Sequence, residues 1–133
     1  MLLASLGAAA DTVRSPDGAE ATAAVDSDGR VAVSVRCGRA LDAVVLRSYC
    51  IGAAHMALGW VRSEGVAVDD EGEPLDLTIR SFGILRAVDT PPIEVTVEDD
   101  EGREPVNGSD AVFAAVAAAA WRALGFPERW PAR

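Results

Sequence analysis

Ser109 and Asp110 are the pair of residues whose types and placement most invite a chemical reading. They stand between a loop-like run, Pro105 to Gly108, and the apolar stretch Ala111 to Ala120 that precedes Trp121. A polar pair at a helix start can hold an anion on the free backbone N–H groups, or present a carboxylate as a base. It can also simply cap the helix, with Ser109 or Asn107 accepting from those N–H groups and Asp110 facing the positive end of the helix dipole. "PVNGSD" lacks both the GxGxxG and the Walker spacing, so capping is the simpler chemistry. His55 is the only histidine. Ser48 and Arg62 lie seven residues to either side of it, but no second ligand is near in sequence, which favours a structural or surface role over metal or acid–base work. Met56 and Trp60, four apart, have the spacing of core residues.

These residues have to be positioned by a single domain, since 133 residues do not build two independent cores. Half the chain is apolar and a quarter charged, a globular composition. All twelve basic residues are arginine, a bias consistent with a GC-rich genome, and the formal net charge is −9. That balance argues against nucleic acid and against an anionic membrane surface as partners. Cys37 and Cys50 make no CxxC pair and no zinc spacing, so a reduced, cytoplasmic chain without a metal site is the plain expectation. The start, "MLLASLGAAAD", echoes a leader peptide but lacks its positive end. No stretch is expected to reach the roughly 20 apolar residues of a membrane span.

Ala19 to Val25 and Arg30 to Arg36 read as a hairpin around the turn Asp26-Ser27-Asp28-Gly29. A helix is expected from about Asp42, a natural N-cap, to Ser63, with Gly65 as its stop. Val66 to Asp69 and Leu75 to Ile79 flank the turn "DEGEP", Ile93 to Glu98 alternates as a strand, and "EDDEGRE" reads as a solvated acidic loop. The last helix should run from Asp110 to Leu124 and stop at Gly125 and Pro127. Its core stripe would be Phe113, Val116, Ala117, Ala120, Trp121 and Leu124. The face formed by Ala111, Ala114, Ala115, Ala118 and Ala119 carries no polar residue, and the first helix has Gly52, Ala53, Ala54, Ala57 and Gly59 for close approach. Helices so apolar all round imply cover by a partner.

Read together, these segments resemble the C-terminal part of the molybdopterin-binding subunit of molybdenum hydroxylases, the xanthine dehydrogenase and aldehyde oxidase family. Cys37-Gly38-Arg39 is similar to that family's "CGR" strand end. "IGAAHMALGW" (51–60) followed by Glu64 is similar to its Gly-rich helix, and "SFGILRAVDTPPIEVTV" (81–97) to its "PPIEVE" segment. Val106 to Asp110 is similar to its "GVGE" loop. The likeness runs from about residue 19 to 124 but covers a small fraction of the family subunit. It implies an α+β fold, a short mostly antiparallel sheet packed with two long apolar helices, in a domain spanning 19–133 after an extension at 1–18. It also implies a small subunit or separately encoded C-terminal piece that completes a large molybdopterin-binding chain, with oxidative hydroxylation of a heterocycle or aldehyde as the chemistry. Molybdopterin would be held mainly by that partner and not by this chain alone. The alternative is a non-catalytic interaction or assembly protein derived from the same region. The resemblance places Gly108 and Ser109 at the cofactor loop. The family's catalytic glutamate falls on Ser109, whose hydroxyl cannot act as that base near neutral pH. Asp110, one residue on, is the candidate displaced base.

Overall fold

The computed structural model describes residues 12–132, so the leader-like start, residues 1–11, lies outside the described residues. The described residues form four strands and two α-helices: β1 (Val13–Arg14), β2 (Glu20–Val25), β3 (Val31–Arg36), α1 (Ala43–Arg62), β4 (Ile93–Val97) and α2 (Ser109–Ala123). The hairpin expected between β2 and β3 is present, antiparallel, with Val25 opposite Val31. Its turn is held by Asp26, whose carboxylate accepts from the N–H groups of Asp28 and Arg30 at 2.9 and 2.8 Å. Gly29 takes φ of 81°, the left-handed conformation that a tight turn needs.

The sheet order is β1-β2-β3-β4. β1 pairs with β2 antiparallel, which brings residues 13 and 14 into the sheet ahead of the hairpin. β4 lies parallel to β3, Val33 opposite Val95, so the sheet is mixed: two antiparallel pairs and one parallel. The parallel pair follows from the crossover, because α1 carries the chain across one face before β4 begins. Val66 to Asp69 and Leu75 to Ile79 do not build a ladder. One isolated bridge, Val68 to Pro74, is all they share, and Asp69 spends its carboxylate on the turn by accepting from Glu71 and Glu73.

Alternation decides the faces of the sheet. Ala21, Ala23, Val31, Val33, Val35 and Val95 turn toward the helices and are buried, while Thr22, Ser34 and Thr96 line the opposite face. The core is built of alanine and valine, with Leu58 its largest fully buried side chain. Small side chains let α1 and α2 lie close on the sheet, and that closeness changes the expected burial of α2. Ala111, Ala115 and Ala119, on the face expected to need a partner, are buried within this chain. Only Ala114 and Ala118 of that face are exposed. Trp121 and Leu124, expected in the core, are 36% and 44% exposed. The residues after α2 fold back over them: Trp130 packs on Trp60 and Trp121 at 4.9 and 6.0 Å, and the Trp121 indole N–H donates to the Pro127 carbonyl at 3.0 Å.

α1 begins as its sequence dictates. The Asp42 carboxylate accepts from the N–H groups of Val44 and Val45 at 2.9 and 3.0 Å. Contrary to the expectation from sequence, α1 is by length and composition apolar enough to cross a bilayer. Its inner face, Cys50, Ala53, Ala54, Ala57, Leu58 and Val61, is nonetheless packed into this domain's core.

Candidate functional site

β3 ends at Arg36, and Cys37-Gly38-Arg39 then turns the chain through a position that only glycine fills well. Gly38 has φ of 78°, and a Cβ there would collide with the Glu104 carbonyl. The turn is tied to the segment before α2. The Gly38 N–H donates to Asp100 Oδ2 at 3.0 Å, the Arg39 N–H to the Arg103 carbonyl at 3.0 Å, and the Val106 N–H to the Cys37 carbonyl at 2.9 Å. Arg103 in turn reaches the Gly18 carbonyl at 2.9 Å. The acidic loop is therefore not merely solvated: Asp100 and Arg103 fasten it to β3 and to the chain ahead of β2.

That clamp delivers Asn107 to Asp110 to the side of α1. Gly108 is buried against Cys37 and Val35, and a Cβ on it would lie 3.2 Å from both Cys37 Sγ and Val35 Cγ2. Asn107, one of the two capping residues read from sequence, accepts from the Ser109 N–H at 3.0 Å. The Ser109 hydroxyl makes no hydrogen bond among the described residues, because it turns the other way. It lines a shallow apolar groove of about 360 Å³ with Val45, Ser48, Tyr49, Gly52, Ala53 and Met56. A second hollow of about 150 Å³ shares Val45 and Tyr49 and extends the groove past Leu41, Arg39, Pro105 and Val106. Asp110 is exposed and lines neither hollow.

The other polar candidates have structural partners. His55 Nε2 donates to the Leu85 carbonyl at 2.9 Å, tying α1 to the long segment that leads to β4. Arg62 is drawn partly out of solvent, which lowers its pKa, and its Nε is buried without a hydrogen-bond partner among the described residues. Burial raises the Cys37 thiol, with the Asp100 charge adding to it. Burial also pushes Cys50 to about 11, with Cys37 contributing. Both cysteines are thus neutral thiols at physiological pH and poor nucleophiles. Met56 and Trp60, whose spacing suggested core, are 55% and 47% exposed. Sequence reading missed Tyr49 and Met56 as groove residues. The available signal was the repeat of apolar residues on the outer face of α1, at 45, 49, 56 and 60, in addition to its inner stripe.

Among the described residues no three histidine, cysteine, aspartate or glutamate side chains come together in a way that could hold a metal ion. The groove beside Ser109 offers the hydroxyls of Ser48, Tyr49 and Ser109 in an apolar surround, and none of its lining residues is cationic.

No protein-family model matches the chain, and no curated protein matches it. Its fold is similar to solved structures. CO dehydrogenase from Oligotropha carboxidovorans aligns with a TM-score of 0.66 at 14% identity over 80% of this chain and 15% of that one. Quinoline 2-oxidoreductase from Pseudomonas putida 86 aligns at 0.57 and 20% identity over 87% and 16%. A Cu,Mo-CO dehydrogenase in its carbon monoxide reduced state aligns at 0.55 and 15% identity over 77% and 14%. The likeness is one of fold, and this chain spans 14–16% of the length of those solved chains.

Proposed function

We propose that this chain is a small subunit, or a separately encoded C-terminal piece, of a molybdenum hydroxylase of the xanthine dehydrogenase and aldehyde oxidase type. It completes the fold of a larger molybdopterin-binding chain. One observation carries the reading: segments far apart in sequence that resemble the family converge in space. Cys37 to Arg39 clamps the approach to α2, Ile93 to Val97 lies beside β3, and Gly108 packs on Cys37. The fold likeness to CO dehydrogenase and quinoline 2-oxidoreductase supports the same assignment.

The residues present do not fit a molybdenum–pterin group by themselves. An anionic, phosphate-bearing cofactor calls for several cations or a row of free N–H donors, whereas the hollow at Ser109 has no charged lining residue and its extension offers Arg39 alone. The cofactor therefore belongs to the partner, and this chain shapes the surface next to it. Ser109 is the residue aimed into the groove, and a hydroxyl there positions or hydrogen-bonds without acting as a base. Asp110, off the groove, serves the helix start.

The test is co-expression with the molybdopterin-binding chain from the same organism. A stable complex with raised solubility and molybdenum content of the large chain is expected. A large chain whose yield and metal content do not respond would refute the reading. The alternative, a non-catalytic assembly protein derived from this region, is favoured by Ser109 standing where the family has its glutamate. Ser109→Glu in the metal-loaded complex separates the two: faster oxidation of a heterocycle or aldehyde supports the subunit reading, and unchanged turnover supports the assembly role.

A further inference from the structure

Resting on that reading, we infer that the outward face of α1 is the surface that docks on the larger chain. Val45, Tyr49, Gly52, Met56 and Trp60 follow one another at steps of four, three, four and four, so they form one stripe along the helix. From Val45 to Trp60 it runs about 22 Å. From Val45 to Met56 its side chains are largely in solvent, Tyr49 being 67% exposed, while Trp60 at its end packs on Phe113 and Trp130; nothing lies within 4 Å of where a Gly52 Cβ would stand. The stripe thus has a dent at its middle, bordered by the groove at Ser109.

Charge points to what fits it. The chain carries 21 acidic residues, yet none lies between Ala43 and Ser63. The open face of the sheet is the opposite case, with a hollow lined by Glu20, Thr22, Ser34, Arg36 and Glu98. An acidic protein that clears carboxylates from one long apolar stripe presents it to another apolar surface, because docking there desolvates no charge. A second copy and the larger chain are both conceivable occupants, and the second is the one assigned. Solved chains with this fold run on well past it, the fold being 14–16% of their length, so chain of that kind is what continues around it.

The experiment compares Tyr49→Lys and Met56→Lys with Thr96→Lys, an exposed position on the open sheet face. Each is co-expressed with the molybdopterin-binding chain and its binding measured, alongside the thermal midpoint of the variant alone. Wild type and Thr96→Lys are expected to bind alike, while each α1 variant loses at least tenfold in affinity with its midpoint unchanged. Complexes that survive both α1 substitutions would overturn this surface while leaving the parent reading intact. Loss of binding in Thr96→Lys alone would do the same. Absence of any complex with the wild-type chain would overturn both. A wild-type dimer that Tyr49→Lys dissociates and the larger chain does not compete for would assign the stripe to self-association instead.

Discussion

The two helices are alike in sequence and opposite in circumstance. α2 is a run of alanines with no polar face, yet its own sheet and α1 bury Ala111, Ala115 and Ala119. α1 looks more ordinary, with Arg47, Ser48, His55 and Arg62 along it, yet it leaves Val44, Tyr49 and Met56 in solvent. The lesson is that a lack of polar residues does not by itself mark an interface. Alanine is small enough to be surrounded within a thin domain, whereas a row of larger side chains on a helix already packed on its other side has nowhere left to go.

A charge on the alanine face is the strongest way to break this contrast. Ala115→Glu should cost on the order of 3 kcal/mol or more, because an unpaired carboxylate would enter the core. Ala118→Glu, on the exposed part of the same helix, should stay within about 0.5 kcal/mol in the isolated chain. Urea unfolding measures both, and equal costs would mean that the faces of α2 are misassigned. Within α1 the same division is tested by truncation. Leu58→Ala should lose about 2–5 kcal/mol from cavity formation. Met56→Ala should lose no more than about 0.5 kcal/mol, and a larger loss would place Met56 in the core after all.

At the start of α2 the effects shrink. Asn107→Ala should cost about 1 kcal/mol, since the N–H of Ser109 loses its acceptor, while Ser109→Ala should be nearly neutral. The reverse order in thermal melts would make Ser109, and not Asn107, the side chain that steadies this helix start. Smallest at neutral pH is the thiol beneath this region. Cys50 holds its proton up to about 11 when folded, against an ordinary value of 9.0. Below that ordinary value both states are protonated. Between the two values the unfolded chain releases the proton and the folded chain does not, so stability falls as pH rises from about 9 to about 11. A Cys50→Ala variant should show a flatter thermal midpoint over that range, and parallel curves would show the thiol to be in contact with water.

What the sequence could say about the site was limited by distance along the chain. The bond from the Ser109 N–H to Asn107 was readable because the two are two residues apart, although the N-cap itself is Gly108, without a side-chain cap. The groove was not, because Ser109 meets Tyr49 and Met56 only after the Gly38 turn has clamped residues 100–106 against the end of β3. Asp100 read as one more solvated acid until the Gly38 N–H came within 3.0 Å of it.

Local chemistry fixed the hairpin through Asp26 and Gly29, the start of α1 through Asp42, and the end of α2 through Gly125, whose φ of 77° is the usual left-handed stop. Each of these rests on hydrogen bonds or backbone freedom within a few residues, so it is legible without knowing what packs against it. The parallel placement of β4, the inclusion of Val13–Arg14 in the sheet, and the burial of one alanine face rather than the outer stripe of α1 rest on contacts between elements tens of residues apart. Only tertiary packing decides those, because a hydrophobic surface is satisfied by whichever apolar partner the topology brings to it.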